Sequence, residues 1–155
     1  MYYNNCMVDE IIRLKTLSDQ MYLEPAEDHA PNSLSPLDQS VPCPDSVFVH
    51  PAILPNGKRI KLLKTLLSSA CERDCYYWPF RAGRDIRRAT FQPEEFARLF
   101  VLLARKGIAE GIFLSSGLIG GGIHTEDKLI DTADILRHKF DFHGYIIYQF
   151  ELCRL

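Results

Sequence analysis

From Arg59 onward the chain alternates short apolar runs with stretches of helical periodicity, an order that few folds accept. Arg59 to Ser68 is a Leu- and Lys-rich run ending in Ser68-Ser69-Ala70, and it reads as a strand. Gln92-Pro93-Glu94-Glu95 opens a helix, with Pro at the first helical position and acids in the first turn. Phe96, Leu99, Phe100 and Leu103 continue one apolar face, and Gly107 closes it behind Arg105 and Lys106. Gly111 to Leu114 is a short buried strand, followed by Ser115-Ser116-Gly117 and then Gly120-Gly121-Gly122. Thr125 is placed to cap a second helix whose apolar positions are Leu129, Ile130, Ala133 and Leu136. Gly144 to Phe150 reads as a third strand. This β-α-β-α-β order, with helices of crossover length, predicts an α/β fold built on a parallel sheet with right-handed crossovers. Ligand loops in such sheets gather at the C-terminal strand ends. The loops after the first and second of these strands therefore share one rim.

Residues 1–57 read differently. Met7, Ile11, Leu14 and Leu17, flanked by Ile12 and Met21, have the spacing of a short amphipathic helix. Pro25, Pro31, Pro36, Pro42, Pro44, Pro51 and Pro55 then predict an irregular lead-in across 24–57, since repeated prolines remove donors and fix φ. The chain divides accordingly into a lead-in, 1–57, and an α/β unit, 58–155. At 155 residues, 46% hydrophobic and 25% charged, it suits one domain with a real core.

A net charge of −2 gives no global signature of nucleic-acid binding. Residues 58–88, however, carry nine bases (Lys58, Arg59, Lys61, Lys64, Arg73, Arg81, Arg84, Arg87 and Arg88) against three acids. These are either solvated loop surface or a basic rim facing phosphates or carboxylates. Five cysteines, an odd count, and an N-terminus without a secretory pattern argue against a disulfide framework and for a reducing cytoplasm. No apolar run reaches transmembrane length, so no membrane partner is expected.

The chemistry lies in the loop after the first α/β strand, Cys71-Glu72-Arg73-Asp74-Cys75-Tyr76-Tyr77-Trp78. Three cysteines in so tight a loop would suit an iron–sulfur cube, each thiolate reaching one iron. The third position here is Trp78, whose indole nitrogen is only a donor and ligates nothing. Zinc is a weaker alternative: structural sites want four ligands, and His29, His50, His124, His138 and His143 are scattered. A redox pair normally has the shorter CxxC spacing. Arg81, Arg84, Arg87 and Arg88 either brace this loop, through Asp74 or Asp85, or contact phosphate.

The loop resembles that of the radical S-adenosylmethionine superfamily, which reads CxxxC, any residue, an aromatic, then C. Cys71, Cys75 and Tyr77 match, and Trp78 does not. The likeness runs over about residues 20–147 through Glu24-Pro25-Ala26-Glu27-Asp28, Leu54 to Arg59, Leu62 to Leu67, Pro79 to Asp85, Arg88 to Phe91 and Gly111 to Gly117. These runs resemble a bacterial group described as DNA-binding or DNA-modifying radical S-adenosylmethionine proteins. The resemblance implies the N-terminal half of a partial TIM-like βα barrel. It also implies a [4Fe-4S] cluster on Cys71 and Cys75, and S-adenosylmethionine near Tyr77, Ser115, Ser116 and Gly117. The implied activity is reductive cleavage of S-adenosylmethionine with an electron donor, directed at nucleic acid. Group members continue into further barrel strands and a DNA-contacting helix-hairpin-helix module, so this chain is expected to be truncated. The run Ile147 to Leu152 also drifts from the group's pattern, as a late change of reading frame would make it. The competing expectation is an inactive remnant without a cluster, or a non-catalytic binding module.

Overall fold

The computed structural model describes the backbone of residues 3–21 and 49–149, with side chains from residue 8 in the first segment. Helix α1 spans Tyr3–Gln20, strand β1 Val49–Ile53 and strand β2 Arg59–Leu66. Helix α2 (Pro93–Arg105), strand β3 (Gly111–Ser115), helix α3 (Gly122–Asp134) and strand β4 (Tyr145–Tyr148) follow. The result is a mixed α/β fold: one sheet in the order β1-β2-β3-β4, with three helices.

β2, β3 and β4 are parallel, in a register that sets Leu63 beside Ile112 and Ile112 beside Ile146. The expected β-α-β-α-β core is therefore present. β1 is the departure, because it pairs antiparallel with β2 inside the stretch expected to be irregular. Two features permit it. β1 is an edge strand, where the missing N–H of Pro51 breaks no internal ladder. Pro55-Asn56-Gly57 makes the turn: Gly57 N–H donates to Leu54 O (2.8 Å), Asn56 Oδ1 accepts from Lys58 N (3.0 Å), and Gly57 sits at φ 79°. That tripeptide was the sequence signal for the hairpin. The remainder of the lead-in, residues 22–48, lies outside the described residues, as do Cys43 and Cys153.

The core fills the space between sheet and helices. Phe96, Leu99, Phe100 and Leu103 are all buried on α2, and Leu14, Leu17 and Met21 are buried from α1. Phe91 meets Phe96 edge-on at 5.6 Å, and Phe100 meets Phe142 at 5.0 Å. α3 differs from expectation at two places. It begins at Gly122, so Thr125 lies in its first turn, where its hydroxyl accepts from Ile119 N and donates to Gly121 O. Ile130 faces outward, and the inward stripe is Thr125, Leu129, Thr132 and Leu136. α3 then runs into a single π-helical turn, Ile135–Lys139. No described helix is long and apolar enough to cross a membrane.

Candidate ligand rim at the strand ends

Two loops leave the C-terminal ends of β2 and β3, and backbone hydrogen bonds stitch them together. Leu67 N donates to Ser115 O (2.8 Å), Gly117 N to Ser68 O (2.8 Å) and Glu72 N to Leu118 O (2.7 Å). The Glu72 carboxylate then accepts from Gly120 N (3.0 Å) and Gly121 N (3.1 Å), at the start of α3. A carboxylate is well placed against the positive end of a helix. Both glycines have positive φ, 73° and 92°, which aims their N–H groups back at Glu72. The cysteine loop and the Ser/Gly loop thus share a rim, as the strand order predicted.

The cysteine loop is itself tightly organised. Trp78 N donates to Cys75 O (3.1 Å), and Ala82 N donates to Arg73 O (2.7 Å). Asp74 accepts from Gly83 N (3.0 Å) and from Arg81 (2.8 Å). Those bonds, the Gly83 amide first and the Arg81 guanidinium second, hold its carboxyl below the usual carboxylate range. Arg88 donates to four carbonyls: Ser69, Phe80 (2.6 Å), Arg81 (2.7 Å) and Arg84 (2.9 Å). One forked cation therefore gathers the chain on both sides of the cysteines, a role no sequence pattern announced. Of the two braces expected, Asp74 is used. The basic stretch does not form one surface, since Lys58, Arg59 and Lys61 stand at the opposite end of β2 from the loop arginines.

Trp78 is not a passenger in this loop. Its ring is 5% exposed and meets Phe80 edge-on at 5.2 Å, within the main core cluster. Cys71 is a half-buried free thiol. Cys75 is disulfide-bonded, a departure from the reduced state expected of every cysteine. Among the described residues no group of three His, Cys, Asp or Glu side chains is placed to hold a metal ion. A four-iron cluster bound in this manner needs three thiolates; the loop offers one free thiol, a second only after reduction, and an indole. The residues as they stand do not fit that cluster.

The other candidate positions divide. Tyr77 is 59% exposed on the loop surface. Ser115 is fully buried at the end of β3, and Ser116 is buried with its hydroxyl donating to Gly117 O (2.9 Å). The Gly117 N–H is spent on Ser68, and its missing Cβ makes room for Ala70 rather than for a ligand. A cavity of about 10 Å³ lies beside them, lined by Ser68, Thr90, Ser116, Thr125 and Lys128 among others. It has room for about one water, far short of the ~300 Å³ and more of small-molecule sites. The structure brings Ser116 and Gly117 together with the cysteine loop and places Tyr77 outside that cavity.

No protein-family model, curated protein or solved structure matches this chain.

Proposed function

We propose that this chain is a radical S-adenosylmethionine-type protein, the front part of a partial βα barrel, in a group that acts on nucleic acid. Its ligand rim is formed by the loops after β2 and β3. One observation carries the reading: the cysteine loop and the Ser115-Ser116-Gly117 loop meet at the C-terminal ends of adjacent parallel strands, joined by the Gly117–Ser68 and Glu72–Leu118 bonds. Cys71 and Cys75 are the metal-ligand candidates. Tyr77, Ser115, Ser116 and Gly117 are the S-adenosylmethionine candidates. For the Gly117 amide to receive a ligand, it must leave the Ser68 carbonyl.

The burial of Trp78 favours a second reading for this copy, a form without a cluster. A ligand position has become a core position, and the loop closes on itself through Asp74 and Arg88 instead of on metal. The two readings separate on binding. S-adenosylmethionine retention is measured by equilibrium dialysis after anaerobic reduction, with iron and sulfide present or omitted, for the chain and for Trp78→Cys. Iron-dependent retention by Trp78→Cys supports the family reading. Retention by neither protein, with both folded by circular dichroism, overturns it.

A further inference from the structure

The two rims of the sheet differ in charge. The rim at the N-terminal strand ends, opposite the cysteine loop, gathers exposed bases from two elements: Lys58, Arg59 and Lys61 at the start of β2, and Arg105 and Lys106 at the end of α2. Hydrogen bonds hold the two sources together. Glu110 N donates to Lys61 O (2.7 Å), and Lys61 Nζ donates to Gly107 O (3.3 Å). Arg59, two residues before Lys61, stands on the same face of the strand. The helix end gives Arg105 and Lys106 a structural role against its dipole, but nothing of that kind accounts for Lys58 and Arg59.

Acids do not balance these bases. Residues 49–61 contain none, and residues 105–111 contain only Glu110, whose carboxylate accepts from Lys61 N (2.9 Å). Asp141, in the neighbouring loop before β4, is paired with His143 (2.8 Å). Lys58, Arg59, Arg105 and Lys106 join no ion pair among the described residues. The cysteine rim is the contrast: its Arg73, Arg81 and Arg84 are matched in number by Glu72, Asp74 and Asp85. So uneven a charge, on a chain of net charge −2, selects an anion. Bases exposed along a ridge suit an extended polyanion. What stands beside them narrows the choice. Ile53, 69% exposed, lies across from Arg59 in the register. A single isoleucine falls short of the apolar centre of a protein interface and of the apolar face that a membrane surface takes up. Tyr145 stands with Leu62 across Gly111, on the other side of the sheet from Lys61, so no ring is offered there for stacking on bases.

We infer that Lys58, Arg59, Lys61, Arg105 and Lys106 form a contact for the phosphate backbone of duplex nucleic acid, independent of base sequence. The ridge is about 23 Å from the cysteine loop along β2, at ~3.3 Å per residue. It therefore holds the chain on a duplex and does not present a reacting nucleotide. The choice of nucleic acid among polyanions rests on the function proposed above, but the contact needs no cluster. Its failure is therefore distinct from a failure to bind iron.

The test is fluorescence anisotropy of the full chain with a labelled DNA duplex of about 20 base pairs, across about 50 to 200 mM salt. Five phosphate contacts give a slope of log affinity on log salt of about −4.5, a fall of about 500-fold over that range. The double variant Lys58→Gln, Arg59→Gln is expected to make the slope shallower by about 1.8, the loss of two contacts. The control Arg84→Gln, Arg87→Gln removes the same charge from the cysteine rim and is expected to leave the slope unchanged. All four side chains are exposed, so circular dichroism should show the wild-type fold. No binding at low salt, an unchanged slope in the first variant, or an equal change in the control overturns the proposal. Equal displacement of the duplex by a polyglutamate of the same charge also overturns it, leaving a generic basic patch. Tighter binding to phosphatidylserine vesicles than to the duplex overturns it in favour of a membrane surface.

Discussion

Gly117 lies against Ala70 so closely that a Cβ placed on it would stand 2.2 Å from the Ala70 carbonyl oxygen. The loops after β2 and β3 touch at this point, backbone on backbone. Gly117→Ala must push the loops apart and strain the Gly117–Ser68 hydrogen bond. We expect a loss of about 1–3 kcal/mol, the usual cost of overpacking, measured by urea denaturation. An unchanged midpoint would mean that the loops are not held at the separation described.

Arg88 is the second fixed point of the rim. Removing it takes a donor from four carbonyls around the cysteine loop, of which the Arg81 carbonyl keeps the Arg84 amide. Arg88→Ala should cost about 2–4 kcal/mol. Arg88→Lys should recover only part of this, because an ammonium lacks the fork that reaches several carbonyls at once. Thermal melts of the three proteins give the order, wild type above Lys above Ala. Equal melting of Ala and wild type would remove Arg88 from the account.

Glu95 on α2 is tied to Arg13 on α1 across the helix interface. The hydrogen bond from Arg13 comes first in lowering its pKa, opposed by partial burial and helped by the Gln92 amide. The same pairing raises the pKa of Arg13. A carboxyl whose folded pKa is depressed contributes stability above its unfolded value, about 4.3, and loses it as pH falls through the lower folded value. The stability gap between wild type and Glu95→Gln should be constant near neutrality and should close below about pH 4. Urea titrations across that range check it, and a gap that widens on acidification would reverse the sign.

The parallel core was legible in the sequence because its strands and helices carry unambiguous periodicity: Phe96, Leu99, Phe100 and Leu103 could belong only to a helix face, and Gly111 to Leu114 only to a buried run. β1 was hidden because prolines on both sides of it suggested irregular chain, although Pro55-Asn56-Gly57 does encode its turn. The start of α3 was misplaced because Thr125 is a good cap by type, while the structure uses Gly121 and brings Glu72 in from another loop to hold the Gly120 and Gly121 amides just ahead of the helix. Such a long-range cap has no local signal. The same holds for Arg88 and for the burial of Trp78: the sequence shows a departure from the ligand pattern it resembles, but only packing shows that the indole lies in the core.

That burial sets a condition on any attempt to place a thiol at position 78. Trp78→Cys leaves a cavity beside Phe80, and replacing a buried tryptophan by a small residue costs about 3–5 kcal/mol. The variant should melt well below the wild type without metal, and binding a cluster should return much of the loss, since a ligand that binds only the folded state stabilises it. Calorimetric melts of Trp78→Cys with and without iron and sulfide measure both shifts. A variant as stable as wild type would contradict the buried position of the indole.

The most direct test of the central claim is the iron and sulfide content per chain after anaerobic reduction and reconstitution, compared between the wild type and Trp78→Cys under conditions where both are folded. The account predicts about four iron and four sulfide for Trp78→Cys and much less than one cluster per chain for the wild type. A full cluster on the wild type would contradict the statement that the loop as written does not fit one. No cluster on folded Trp78→Cys would contradict the radical S-adenosylmethionine reading itself.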